Sequence, residues 1–293
     1  MSAPIAPSAG QVERDRDIAR RSSFLSRALH SPTLMTGAAL TATIVALALL
    51  APVIGRYSPV SQDLLHQLAG PSSAHWLGTD ELGRDVWSRL LYAGRTDLQV
   101  GVLAVLFPFA FGVFIGTVCG YFGGWIDSIV MRIVDVVLAF PFYVLIIALV
   151  FVVGFGTHGI YIAFALTDWV IYARITRSAT LVARNLDWVA AAEGAGLSRT
   201  RVLWRHILPN TITQPIVYAM SDIVLVILAV VTLGYLGLGI QPPAPDWGSM
   251  INDGQNFIQT NQWLAAIPGL AVVLTGVGLS LVGDGLADIL RPE

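Results

Sequence analysis

The 293-residue chain has no lysine, all 17 of its basic residues being arginine. A phosphate-cradling P-loop depends on a lysine that reaches the terminal phosphates, so the chain carries no such nucleotide site of its own. It has one cysteine, Cys119, which lies in an apolar stretch, has no partner for an intrachain disulfide and reads as packing. Charge is scarce as well. Charged residues make up 12% of the chain and hydrophobic ones 55%, against roughly 25% charged in soluble domains, which excludes a water-soluble fold. The formal net charge is -2 and the arginines are spread in several blocks, so no basic surface for nucleic acid is present. The five histidines, His30, His66, His75, His158 and His206, form no pair with zinc-ligand spacing. There is no Gly-x-Ser-x-Gly elbow. The run Gly234-Tyr-Leu-Gly-Leu-Gly239 lies in an apolar segment with no soluble helix after it and satisfies no dinucleotide fingerprint. No catalytic residue and no metal ligand is assigned.

In place of charge the chain has long apolar runs. Residues 1–30 are polar, rich in Ala, Pro and Ser at their start, and carry Arg14, Arg16, Arg20, Arg21 and Arg27; they predict a disordered tail. The run from Thr33 to Ile54 is long enough to cross the roughly 30 Å hydrocarbon core of a bilayer. A secretory signal competes with that reading, but it would have a shorter apolar region and a small-residue cleavage site. Five more apolar segments lie at about 98–121, 127–153, 159–180, 212–239 and 263–287. Six spans place both termini on one side. Thirteen arginines fall on that side and four, Arg56, Arg84, Arg89 and Arg95, on the other, so the termini, with Arg14, Ser198 and Glu293, are expected to be cytoplasmic, and Asp80 and Asp246 to be outside. The chain divides into a tail (1–30), a first transmembrane helix with its extracytoplasmic loop (31–97), and a core of spans (98–293). Within the core, Gly112, Gly116 and Gly120 recur every fourth residue and predict a face for close helix packing.

The segment 185–210 reads as two short helices in a cytoplasmic loop. Asp187 is placed to cap the first, whose alanine-rich body favours helix, and Gly196 suits the left-handed residue that closes it. Ser198 is placed to cap the second, which ends near Pro209. A short helix with a small-residue face, held between two spans, fits a groove of another protein.

This loop resembles the EAA loop of permeases of ABC importers. Ala191, Ala192, Gly196, Leu208 and Pro209 match the pattern at its spacing, while Ala190 stands where the family usually has glutamate. The resemblance covers nearly the whole chain after about residue 30. His75-Trp-Leu-Gly-Thr-Asp80-Glu-Leu-Gly-Arg84-Asp85-Val-Trp-Ser-Arg89 looks like a signature of the dipeptide/oligopeptide branch, C-type subunit (DppC/OppC-like). Gly120 to Asp127, Arg132, Asp135, Ala139-Phe-Pro141, Trp169 with Arg174 and Arg177, Leu236 to Gly239 with Trp247 and Gly248, Pro268-Gly-Leu and Gly283 to Leu286 follow in the family's order. Val230 occupies a place where many relatives carry an acid.

The resemblance implies an all-α integral membrane protein: a six-helix permease bundle of the type I importer kind, in a bacterial cell membrane. It implies a heterodimer with a second permease subunit, two ATP-binding subunits or a fused ATPase, and an extracytoplasmic substrate-binding protein. No cofactor is expected on this chain; ATP and Mg would sit on the partner subunits. The coupling loop to the ATPase would comprise Asp187, Ala190, Ala191, Ala192, Gly196, Ser198, Arg205, Leu208 and Pro209. Peptides are the implied cargo, with haem, nickel complexes and glutathione carried by related permeases. Two readings of another class compete. An intramembrane enzyme would need a polar catalytic set that cannot be assembled here, and a passive channel would not co-purify with ATPases.

Three further expectations come from the residues themselves. The stretch from about Asp80 to Ala93 reads as an amphipathic helix, resting on the bilayer, capping the bundle or meeting the delivery protein through Asp80 and Arg84. The proline-rich loop Gln241 to Gly248 is expected either to present Asp246 and Trp247 to that protein or to anchor Trp247 at the interface. Ionisable groups inside a bilayer usually face protein or water; Asp135 and Asp284 read as structural, and Asp168 and Asp222 as candidates for the solute pathway.

Overall fold

The structure, a computed structural model, describes residues 28–290. Of the tail expected to be disordered over 1–30, residues 1–27 with all five arginines lie outside the described residues, as do Arg291 and Glu293, whereas 28–30 are helical. Helix α1 (Pro32–Leu49) starts on Ser31, whose hydroxyl accepts the Leu34 N–H, and Pro32 sits at its first position, where no N–H is needed. It is followed by α2 (Val86–Phe122), α3 (Gly124–Leu138), α4 (Phe142–Val153), α5 (Thr157–Thr167), α6 (Trp169–Ala183), α7 (Asp187–Gly194), α8 (Thr213–Tyr235), α9 (Trp247–Gln255) and α10 (Trp263–Leu290), with shorter helical turns between them.

Among the described residues α1, α2, α8 and α10 are long and apolar enough to cross a membrane, and α3 with α4 makes a fifth crossing if a pair bent by 93° counts as one. The straight span expected over 127–153 is therefore broken. Pro141 has no N–H to continue the helix, and its ring disfavours helical backbone at Phe140. The span expected over 159–180 is divided at Asp168 into α5 and α6. Large apolar side chains such as Leu106, Phe107, Phe151 and Val152 are exposed, as suits a surface that meets lipid as apolar as itself.

The spacing of Gly112, Gly116 and Gly120 does what it predicts. A Cβ at any of the three would come within 3 Å of α6, against Tyr172, Thr176 and Thr180 respectively. The two helices thus pack backbone to backbone. A second close approach joins the first and last long helices: a Cβ on Gly37 would meet Leu281 Cβ at 2.6 Å, and one on Gly285 would meet Leu34 Cβ at 2.6 Å. The largest buried cluster gathers Val100, Val105, Ile146, Ile160, Phe164, Tyr172, Val226 and Leu233, drawn from α2, α4, α5, α6 and α8. Val230 is part of it, fully buried.

The helix expected from about Asp80 begins only at Val86 and runs without interruption into the second span. Two local forces delay it. Asp80 Oδ1 accepts the N–H groups of Leu82 at 3.0 Å and Arg84 at 2.9 Å, which holds a turn that competes with helix. Gly83 takes a φ of +71°, a conformation that favours glycine and ends regular helix. Asp85 then caps α2, its Oδ2 accepting the Ser88 N–H at 2.8 Å.

Candidate functional site

The 185–210 loop sits at the C-terminal end of α2. Helix α7 starts on Leu186, which offers no side-chain cap, so the expected capping by Asp187 is corrected: Asp187 is the first helical residue. Its carboxylate still opposes the positive end of the helix dipole. With the start at Leu186, the capping-box position falls on the buried Val189 rather than on Ala190. The alanine at 190 therefore removes no cap. The other end follows the sequence closely. Gly196 has a φ of +83°, its N–H bonds to Glu193 O at 2.9 Å, and the Leu197 N–H bonds to Ala192 O at 3.3 Å. This is the paired closure of a Schellman turn, which needs a left-handed residue.

Val189 packs with Ala183, Val202 and Ile207, and Ala192 and Leu197 lean on the same cluster. Ala190, Ala191, Gly194 and Ala195 are left exposed on the outer side of α7. A Cβ on Gly194 or Gly196 would meet nothing of the chain within 4 Å. One bond ties α7 to α2: Tyr121 Oη donates to Glu193 Oε1 at 2.6 Å. Beyond it Ser198 caps the next turn, accepting the Arg201 N–H at 3.4 Å. The helix then widens into a π turn over Leu203–Ile207, which relieves the clash between the Pro209 ring and the carbonyl of Arg205. Arg205 and Pro209 are exposed and Leu208 is half-buried.

At the opposite end of α2 the candidate contact residues turn inward. Arg84 Nε meets Asp80 Oδ2 at 2.6 Å and its Nη2 meets Glu81 Oε1 at 2.9 Å and Asp253 Oδ2 at 3.4 Å; Arg89 Nε reaches the same Asp80 oxygen at 3.3 Å. His75 Nδ1 lies 2.8 Å from Asp85 Oδ1. Burial pushes the Glu81 carboxyl above its ordinary range. The signature between the first two long helices is thus a knot of ion pairs within the chain, and the expectation that Asp80 and Arg84 project to a partner is corrected. So is that for the proline-rich loop. Asp246 is fully buried and caps α9 by accepting the Ser249 N–H at 2.9 Å. Trp247, 2% exposed, gives its backbone N–H to Asp97 Oδ2 at 2.9 Å and its indole N–H to Leu90 O at 3.1 Å. Both readings of that tryptophan, docking and interfacial anchoring, need exposure it does not have.

Asp168 and Asp222 meet. Asp168 stands at the joint between α5 and α6, Asp222 near the middle of α8, and their carboxyls interact directly. Tyr172 Oη donates to Asp222 Oδ2 at 2.6 Å, and the Tyr218 hydroxyl interacts with the same carboxyl. The two phenol rings meet edge to face, their centroids 5.2 Å apart. Both carboxyls line a cavity of about 320 Å³ with Thr167, Tyr218 and the apolar side chains of Phe140 and Phe142. Among the described residues no group of three or more metal-ligating side chains exists.

Residues 112–293 match the family described as binding-protein-dependent transport system inner membrane component. The chain is 38% identical to the dipeptide transport system permease protein DppC of Alkalihalophilus pseudofirmus, with 88% of this chain and 85% of the relative covered. It is 37% identical to the probable D,D-dipeptide transport system permease protein DdpC of Escherichia coli (90% and 88% covered). It is 41% identical to the glutathione transport system permease protein GsiD of Pectobacterium atrosepticum (76% and 74% covered).

The chain belongs to this family of permeases. The permease is a membrane component of an ABC importer and not itself the ATPase, in keeping with a chain that has no lysine for a P-loop. Three of its polar residues escape a reading of the sequence. Asp97 lies one residue before the apolar segment read from 98 and is fully buried. Tyr172 follows Asp168 by four residues and Tyr218 precedes Asp222 by four, the spacing that stacks side chains on one helical face. That double spacing was the available signal.

Proposed function

We propose that the permease is half of the translocation route of an ATP-driven peptide importer, paired with a second permease subunit and driven by two ATP-binding subunits or a fused ATPase, where ATP and Mg are held. An extracytoplasmic binding protein delivers the solute. Six crossings result if α3 with α4 is one bent crossing and α5 with α6 one jointed at Asp168. The thirteen-to-four arginine bias then puts both termini and α7 in the cytoplasm. The observation that carries the reading is α7 itself: a helix with a bare small-residue face outward, a seat of Val189 inward, and a hydrogen bond from Tyr121 to Glu193. Closure of the motor subunits displaces α7, and its seat passes the motion to α2 and α6. Peptide cargo is supported by relatives named for dipeptide transport; the relative named for glutathione supports that thiol tripeptide as the second reading.

The test is reconstitution with the cognate subunits and binding protein in proteoliposomes, with uptake of dialanine as readout. Ala191→Leu adds bulk at an exposed position, so the chain should insert normally while co-purification of the ATPase and uptake both fall by about tenfold, the loss of one well-packed contact. Wild-type levels of both would remove α7 from the docking surface.

A further inference from the structure

Asp168 is 2% exposed, lines the cavity walled by α3, α4, α6 and α8 and the end of α5, and its Oδ2 has no hydrogen-bond partner among the described residues. Buried polar atoms are nearly always satisfied, and an exception calls for an explanation. Asp222 beside it accepts from Tyr172, so the open acceptor is on Asp168. The arginines of α6 are engaged elsewhere: Arg174 with Asp135 at 2.9 Å, and Arg177 with Asp127 through two contacts. Two interacting carboxyls thus face a largely apolar cavity that holds no base, although a buried carboxylate needs a counter-charge or a donor.

We propose that this pair is the recognition point for a primary ammonium group of the solute in transit. The inference rests on the reading above that the chain forms half of a solute route. An ammonium brings one positive charge and three N–H donors. The carboxyls of Asp168 and Asp222 and the Thr167 hydroxyl oxygen, all on the cavity wall, accept the three, once a rotation of the Asp168 carboxyl turns its buried Oδ2 toward the cavity. Tyr172 fixes Asp222 through its hydroxyl, and Tyr218, itself on the cavity wall, packs edge to face on Tyr172. A divalent cation fits poorly, since calcium takes six to eight oxygen ligands and magnesium about six. The surrounding Phe140, Phe142, Leu145 and Leu225 accept an apolar substituent next to the ammonium. The class of ligand is therefore an amine-bearing organic cation, a free peptide amino terminus included.

Dicyclohexylcarbodiimide, which modifies carboxyls in apolar surroundings, tests this on the assembled wild-type transporter, with adducts at Asp168 and Asp222 located by mass spectrometry. At about ten times its half-protecting concentration n-butylammonium should slow total modification of the pair, N-acylurea plus n-butylamide, by about tenfold, and n-butanol at the same concentration should not. Dialanine should protect and N-acetyl-dialanine should not. Equal rates with and without n-butylammonium, equal protection by butanol, or modification seen in the isolated chain but absent from the assembly would each overturn the proposal, the last because a neighbouring subunit would then fill the site. Dialanine uptake by the same preparation separates the two readings: protection by n-butylammonium without uptake refutes the peptide importer and keeps the ammonium site, whereas uptake with no protection does the reverse.

Discussion

At its first turn α2 is clasped by charge, with Asp80, Arg84, Arg89 and Asp253 bonded to one another and Trp247 sealed against Leu90 and Gly94. At its last turn it is touched by an exposed helix through Tyr121 and Glu193, over a small apolar cluster around Val189. The same helix therefore ends in a part where the charged side chains pair with one another inside the chain, and in a part whose outer surface is left bare. Paired, buried charges resist displacement because separating them leaves an uncompensated charge. A bare alanine and glycine face has little to hold it to its own chain and much room for another.

The sharpest way to break this contrast is Asp80→Ala. It removes the partner of two buried guanidinium groups and the acceptor of two turn amides, and should cost about 4 kcal/mol of stability, read as a fall in thermal stability and in the yield of assembled complex. If stability is untouched and only stimulation of ATP hydrolysis by the binding protein is lost, the knot is a docking surface after all. Trp247→Ala comes next. It empties a site walled by Gly94 and cuts the indole bond to Leu90 O while leaving the backbone bond to Asp97, for about 3 kcal/mol and the same readout.

At the bare end the effects on stability shrink while those on coupling do not. Gly196→Val forces a branched side chain to a φ of +83° and should cost about 2 kcal/mol, felt within the loop. Thermal stability of the spans should hardly move, while peptide uptake and ATPase co-purification drop. Smallest is Ala190→Glu, which restores the family residue at an exposed position that caps nothing. Stability should stay within about 0.5 kcal/mol of wild type, and any gain in ATPase co-purification would mark position 190 as a contact across the interface.

The sequence made the bare end legible and the clasped end hard to read, and the cause is physical. Gly196 and Ser198 act through bonds that span three to five residues, so their roles follow from local chemistry. The stripe of Gly112, Gly116 and Gly120 was readable because helical spacing alone sets its face. The apolar runs gave the elements, but Pro141 and Asp168 broke two of them into bent or jointed pairs that hydropathy does not register. Asp80 to Ala93 has helical periodicity, and side-chain capture of backbone amides overrode it in the first residues. Trp247 is held by Asp97 and Leu90, 150 and 157 positions away, and no local pattern announces such a partner. The meeting of Asp168 with Asp222 needed the packing of α6 on α8, though the tyrosines four residues from each acid hinted at it.

Helix α2, at 37 residues, is about 55 Å long, nearly twice the roughly 30 Å of hydrocarbon it would cross. Its ends therefore reach past that thickness, one held by the ion pairs around Asp80 and the other carrying the exposed α7; if the motor subunits push α7 as proposed, α2 serves as a lever between them. A tilt of about 5° about the knot sweeps the far tip through about 5 Å at that length. Because Gly112, Gly116 and Gly120 press α6 against the lever with no side chains between them, the sweep drags α6 along. In the proposed cycle the joint at Asp168, where α6 begins, is the point at which a push from the cytoplasmic side becomes a change in the shape of the cavity.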